Sequence, residues 1–534
     1  MSTPLEPPAC SAGEKSGRAA GANWWYSAES SPREFEVPRW AALLFPALAG
    51  GMGWGIRGQY GHETGAMIAG VLLALVLALL FCPGVPAARV ARAVAWGTLA
   101  MGIGGSMTYG QTIGLTQDPA MVGNWAALRW GMLGLAVKGA IWIGFAGALL
   151  GMALSGCEYR WREVVGLMLT LLVVCFVGIR LLNEPYDPAN RTLPPIYFSA
   201  DWRWLPDAAL KPRREVWGGL LVALLTLLAY LAWRRDALGL RLGLWGLAGG
   251  AVGFPLGQAA QGWAGWNSEV LKAGALRELL PLINWWNFME TIFGAVIGTA
   301  LGLGLWLNRA RIFEGTPQTM PAVTGARVNE AALPGWLEGI LLAIHVALLV
   351  AAEFLAVCWF SAVYGFGLVM VTVPLVAVAG GRWWPYLVVL PLVMLPIAGK
   401  TVIAVVELGT PADAGWPWVF CFVLPLALTS IASFRFGRPA DPTRPAEWFL
   451  RPSLLLLTWL FLGLNFVVFR FPWPWEVWTA RTPNALVFAL CAVGLTWLAL
   501  RRGHRTRPPP CSPAAARNSN CRPSAAASPP FTSY

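Results

Sequence analysis

Residues 53–81 read GWGIRGQYGHETGAMIAGVLLALVLALLF. From Thr64 to Phe81 no side chain is charged. Eighteen residues of helix rise about 27 Å, close to the ~30 Å hydrocarbon thickness of a bilayer. Just upstream, Arg57, Gln59, Tyr60, His62 and Glu63 crowd between Gly55, Gly58 and Gly61. This turn is too short to be an extramembrane loop of its own, and its glycines tolerate unwound backbone. The stretch predicts a helix ending near Arg57, a polar break, and a second helix starting near Thr64. Glu63 would then sit against the positive end of that second helix.

The whole chain follows this pattern. Of 534 residues, 57% are hydrophobic and 12% charged, where a soluble domain carries about a quarter charged residues. The fold class is an all-α polytopic integral membrane protein with about fourteen spans. They lie near 38–56, 64–83, 91–114, 129–154, 163–183, 216–233, 238–258, 284–308, 334–360, 364–380, 383–407, 416–434, 448–470 and 483–500. The weakest divisions are at Tyr364-Gly365 and around Pro385, Pro391 and Pro396; without them the number falls to twelve. The expected organisation is a cytoplasmic polar tail (1–37), a Gly-rich membrane core of about eight helices (38–308) and a cytoplasmic linker (309–333). A second bundle of about six helices (334–502) and a disordered, Pro-, Ala-, Ser- and Arg-rich cytoplasmic tail (503–534) follow. The outer loop 184–215, rich in Pro, Trp and Tyr, is expected to fold as a short cap. Residues 1–37 lack the apolar core of a signal peptide.

The net charge of +12 rests on arginine. Placing both termini in the cytoplasm puts an arginine in every inner loop, as the positive-inside rule requires. The expected location is the cytoplasmic (inner) membrane of a bacterium. Basic stripes interleaved with aromatics are absent, so nucleic acid is not an expected partner; membrane lipid and a small-molecule or lipid-linked solute are. The nine cysteines are scattered and the three histidines (62, 345, 504) lie far apart, which predicts no disulfide framework, no metal site and no cofactor.

Gly-Gln occurs three times with Gly-Gly upstream: Gly50-Gly51 before Gly58-Gln59, Gly104-Gly105 before Gly110-Gln111, and Gly249-Gly250 before Gly257-Gln258. A recurring polar break in apolar segments is where a membrane site is built. Three such breaks predict one outward-facing polar pocket of Arg57, Gln59, His62, Glu63, Gln111, Gln258 and Glu290. Trp54, Trp125, Trp263, Trp285 and Trp286 would form its rim. Glu290-Thr291 before Gly294-Ala295 parallels Glu63-Thr64-Gly65-Ala66, and Lys138-Gly139-Ala140 takes the equivalent place in the second hairpin. An ionisable group at depth needs a partner, so Lys138 is expected to pair with Glu290 or Glu63. Asn287 belongs to the same hairpin as Glu290. Farther on, His345 and Glu353, eight apart on one helix, and Lys400 and Glu407, seven apart, are candidate proton- or ion-coupling pairs.

These features favour a multi-pass transporter or flippase-like carrier over two alternatives. One is a membrane enzyme of the glycosyl- or acyl-transfer type acting on a lipid-linked or sugar substrate at the outer face, with Glu63 as its acid/base, helped by His62 and Arg57, and with His345 as a second candidate. The other is a non-catalytic scaffold. No catalytic residue is assigned, and a P-loop is absent.

Overall fold

A computed structural model describes residues 37–501, apart from 59, 108, 207–210, 275–276, 315–332, 356–359, 361–362, 382–387, 438–443 and 470–476. The terminal tails and most of the expected 309–333 linker lie outside the described residues, as does Gln59. The described residues form helices, with isolated bridges but no strand.

The first part contains α1 (Arg39–Arg57), α2 (Glu63–Phe81), α3 (Ala87–Ile103), α4 (Gly110–Gln117) and α5 (Trp125–Leu154). It continues with α6 (Trp161–Leu182), α7 (Trp217–Trp233), α8 (Ala237–Trp266), α9 (Ser268–Ala273) and α10 (Trp285–Leu307). The second part contains α11 (Gly335–Phe354), α12 (Gly367–Gly380), α13 (Val393–Glu407), α14 (Leu424–Gly437), α15 (Glu447–Phe469) and α16 (Thr482–Leu500). Among the described residues, ten helices are long and apolar enough to cross a membrane, and α7 and α12 are apolar but shorter. The ten do not include α1 and α3, although both lie on predicted spans. In α1 the reason is composition, with Pro46, four glycines and an arginine at each end; α3 carries Arg89 and Arg92 and is also short, at 17 residues.

Glycine sets the packing. A Cβ added to Gly50 of α1 would collide with the carbonyl of Gly294 of α10, and one added to Gly294 with that of Gly50. Gly298 and Gly302 abut the carbonyls of Pro46 and Ala42 in the same way. The second such pair is α5 with α8, where Gly139 meets Gly250, Gly147 the Leu242 carbonyl, and Gly246 the Ile143 carbonyl. Because α8 also packs on α10, the order α1–α10–α8–α5 forms one continuous layer. In a bilayer, apolar burial adds little to helix association, so close backbone approach at small residues must supply it.

Beside this layer runs α2, apolar all round because protein surrounds it: its most apolar window is 94% buried, against 17% for α11. The later helices wrap α2 and α3: α15 and α13 lie on α2, and α12 on α3 and α6.

Two faces can be distinguished. On the hairpin face, α1 and α3 end and α2, α5 and α10 begin. On the opposite face Asp236 caps α8 through the Gly239 amide (2.8 Å) and accepts from the Tyr159 (2.6 Å) and Ser155 (2.9 Å) hydroxyls. There too Arg241 donates to Asn308 (2.9 Å) and Arg92 to the Gly381 carbonyl (3.0 Å). Cys82, Cys175, Cys421 and Cys491 are buried thiols, but Cys157, just past α5, is disulfide-bonded. The cysteine expectation is corrected there: spacing along a chain does not report which thiols the fold brings together.

The glycine contacts make a direct prediction. Gly294→Ala should lower the melting temperature and folded yield, since overpacking a fixed contact costs about 1–3 kcal/mol. Gly166→Ala on α6, where an added Cβ meets nothing within 4 Å, should leave both unchanged or slightly raised. Fluorescence-detected size exclusion after graded heating distinguishes the two outcomes.

Candidate functional site

The ionisable groups collect in a layer near the hairpin face. Arg57 lies 18 residues after Arg39, Lys138 16 before Leu154, Glu290 17 before Leu307 and Gln258 21 after Ala237. At 1.5 Å per residue these positions stand about 24–32 Å above the opposite face. The layer resolves into three clusters instead of one pocket.

The first cluster joins α1 to α10. The Arg57 guanidinium donates to Glu290 Oε1 at 3.0 Å, and both side chains are 1% exposed. It also meets the Tyr109 hydroxyl, which lies 3.4 Å from Glu290 Oε1. Aromatic rings surround the cation: Arg57 Cζ lies 4.9 Å from the Trp54 ring centroid and 5.3 Å from those of Tyr109 and Trp142. Even so, Arg57 Nε and Nη1 have no hydrogen-bond partner. Directly above, a Cβ on Gly58 would lie 2.8 Å from Glu290 Oε2, so glycine lets the turn settle onto the carboxylate. His62 in this turn packs edge-on against Tyr109, with ring centroids 5.2 Å apart. Although His62 is exposed by surface area, desolvation by the atoms around it lowers its pKa, as do the Arg57, Lys400 and Arg213 cations. Its imidazole is therefore neutral at pH 7. Asn287, one turn before Thr291, donates to the Gly55 carbonyl (2.9 Å) and accepts from Arg481 (3.2 Å). It ties the end of α1 to the start of α16.

The second cluster corrects an expected pairing. Lys138 pairs neither with Glu290 nor with Glu63; it donates to Glu215 Oε1 at 2.6 Å and to Thr112 at 2.7 Å. Both charged side chains are 1% exposed. Glu215 also accepts from the Ser199 hydroxyl (2.8 Å) and the Phe198 amide (3.0 Å). The 184–215 loop thus folds down onto α4 and α5 and supplies the counter-charge itself. Gln111 holds this loop, donating to the Lys211 carbonyl (3.0 Å) and accepting from the Arg213 amide (3.1 Å).

The third cluster corrects two more pairings. Lys400 meets Glu353 at 2.6 Å and not Glu407, which is exposed at the end of α13. His345, buried on α11, shares a 2.9 Å hydrogen bond with Tyr364 and not with Glu353. Seven- and eight-residue spacings put groups near one face of their own helix, but the buried partners come from neighbouring helices.

The Gly-Gln repeat also changes meaning. A helix does break at the first and second copies, but α8 runs unbroken through Gly257-Gln258. Glycine there serves contact, since a Cβ on Gly257 would run into the Met289 carbonyl. Gln258 donates to Thr116 at 2.7 Å, and its oxygen and that of Gln261 are unpartnered. Of the expected tryptophan rim, Trp125 and Trp263 are exposed, Trp285 and Trp286 half-buried, and Trp54 is buried against Arg57. Sequence reasoning passed over Tyr109, Thr112, Glu215 and Trp142. Glu215 carried a signal, as a carboxylate two residues before the apolar run that opens at Trp217. Among the described residues no three His, Cys, Asp or Glu side chains are grouped to hold a metal ion.

Removing one member of a buried ion pair typically costs about 3–5 kcal/mol. Lys138→Met should therefore cut folded yield sharply, and adding Glu215→Gln should restore part of it. Adding Glu290→Gln instead should make matters worse by its own increment. A double-mutant cycle on melting temperature reads the coupling.

No protein family, curated protein or solved structure matches this chain.

Proposed function

We propose that the protein is a carrier for a small polar solute, with its binding site at the Arg57–Glu290 cluster under the first hairpin turn. One observation carries the reading: a fully buried guanidinium keeps two unpartnered N–H-bearing nitrogens inside an aromatic enclosure, beside a carboxylate. A purely structural ion pair is expected to satisfy its donors, because each unmet buried donor costs about 1–3 kcal/mol. A charged group buried at this depth marks a substrate or ion pathway in membrane bundles. Interrupted helices often build carrier sites, and the break between Arg57 and Glu63 supplies an interruption at the hairpin edge of the bundle. That Gly58, Gly61 and His62 in the turn over this cluster are exposed supports access from the hairpin face. Aromatic faces with convergent polar groups suit a ring-bearing or hydroxyl-rich solute that also offers an acceptor to Arg57.

In this reading the chain makes fourteen spans with both termini on the arginine-rich side, in a bacterial inner membrane. The hairpin face then opens outward. The short turn, lacking a grouped set of metal ligands, gives less support to group transfer on a lipid-linked substrate.

A thermal-shift screen tests the proposal. Sugars, amino acids, nucleosides and lipid-linked precursors are added to purified wild type and to Glu290→Gln. A true ligand at 100 times its Kd stabilises by about 2.7 kcal/mol. The expected result is a shift in wild type that Glu290→Gln loses, followed by uptake of the same solute into vesicles. An equal shift in both proteins, or turnover of the solute without uptake, would overturn the reading.

A further inference from the structure

Lys400 of α13 reaches across to the first hairpin and is fully engaged there. Its ammonium contacts Glu353 Oε2 (2.6 Å), the Tyr60 carbonyl (2.7 Å) and the Thr64 hydroxyl (3.0 Å). Three acceptors use its three donors. Thr64 in turn lies 2.9 Å from Glu353 Oε1, so both carboxylate oxygens of Glu353 are occupied. A Cβ on Gly61 would lie 2.9 Å from Lys400 Nζ, and the positive φ of Gly61 (+82°) shapes the turn around the cation.

Glu63, the first residue of α2, completes the group. It senses Glu353 as a like charge and Lys400 and Arg57 as opposite charges, yet forms no ion pair of its own among the described residues. Arg57 is committed to Glu290, and Lys400 to Glu353. Two carboxylates therefore share one lysine, which leaves the group one negative charge in excess. Like charges held close in a poorly solvated site are relieved when one of them takes a proton.

Beside this group a small cavity is lined by Thr64 and His345 together with apolar side chains such as Met67, Leu349 and Pro396. His345 lies nine residues before Phe354 on α11, about 14 Å below the hairpin end, bonded to Tyr364. Among the described residues the other titratable groups facing the cluster are His62 and Tyr60 in the turn, Cys421 beside Tyr60, and Tyr109 and Glu290 beyond Arg57.

We propose that Glu63, Glu353 and Lys400 form a proton-binding site, coupled through the Tyr60 turn to the Arg57–Glu290 cluster. An O–H bond of hydronium breaks as one forms on a carboxylate oxygen, leaving water, and release reverses the step. Protonation weakens the hold of the carboxylates on Lys400, which anchors the Tyr60 carbonyl. That carbonyl belongs to the same turn that rests, at Gly58, on Glu290. Proton binding stands independently of the carrier reading, whereas its use to drive a solute rests on it.

Infrared spectroscopy of the purified full-length protein, titrated over roughly pH 6 to 9, tests the site, because ordinary carboxyls are almost wholly ionised in that range. A protonated-carboxyl band should grow as pH falls in wild type. It should vanish in Glu63→Gln and in Glu353→Gln but persist in Glu407→Gln, which alters an exposed carboxylate at the end of α13. Lys400→Met, which removes the cation, should move it to higher pH. If Glu353→Gln fails to fold, Glu63→Gln decides, since Glu63 makes no ion pair whose loss would unfold the protein. A missing band, or one that survives both Glu63→Gln and Glu353→Gln, overturns the proposal even if a solute is carried. A band that behaves as expected supports the site even if no solute is ever found, and the carrier reading then falls alone.

Discussion

Backbone-to-backbone contact at glycine is the constraint on which the rest of this protein depends. Where Gly50 meets Gly294 and Gly139 meets Gly250, two helix axes approach as closely as their main chains allow. Side chains would hold these helices apart and loosen everything built across them. The approach brings Arg57, one helical end beyond Gly50, to Glu290, one turn before Gly294. Lys138, adjacent to Gly139, comes within reach of the folded loop that carries Glu215. The ion pairs are thus consequences of the glycine packing, and they in turn pin the turns and the loop.

Charge is balanced within the two most deeply buried clusters. Arg57 is balanced by Glu290 and Lys138 by Glu215, each pair nearly sealed from solvent. Burying an ion from water costs several kcal/mol, and a partner with further hydrogen bonds is what makes such burial tolerable. The Lys138 pair is the better satisfied, with Thr112, Ser199 and the Phe198 amide in place. The Arg57 pair is the less satisfied, which is why it and not the Lys138 pair reads as the place for a ligand.

Helix positions were largely legible in the sequence, because long charge-poor runs between arginines leave few other solutions. Helix breaks were legible only where polar residues accompanied the glycines. The Arg57–Glu63 turn broke as expected, whereas Gly257-Gln258 remained helical because those glycines serve the contact with α10. Partners of charged residues were not legible. Periodicity relates groups on one helix, but Lys138, Lys400 and His345 each find a partner on another element. The proximity of Tyr60 to Lys400, 340 residues away, is a product of tertiary packing with no local trace.

The depth of the charged layer has an electrical consequence. Glu353 lies 18 residues from the start of α11 and Glu63 18 from the end of α2, so both stand about 27 Å above the opposite face. With the chain spanning a bilayer ~30 Å thick, these groups lie at one edge of the transmembrane field. A proton arriving from the hairpin side crosses almost none of that field. One leaving toward the opposite side crosses nearly all of it, and each 100 mV acts on that step with about 2.3 kcal/mol. The two half-reactions of a proton cycle at this site would respond to voltage very unequally: loading would depend on the pH of the hairpin side, and release on membrane potential.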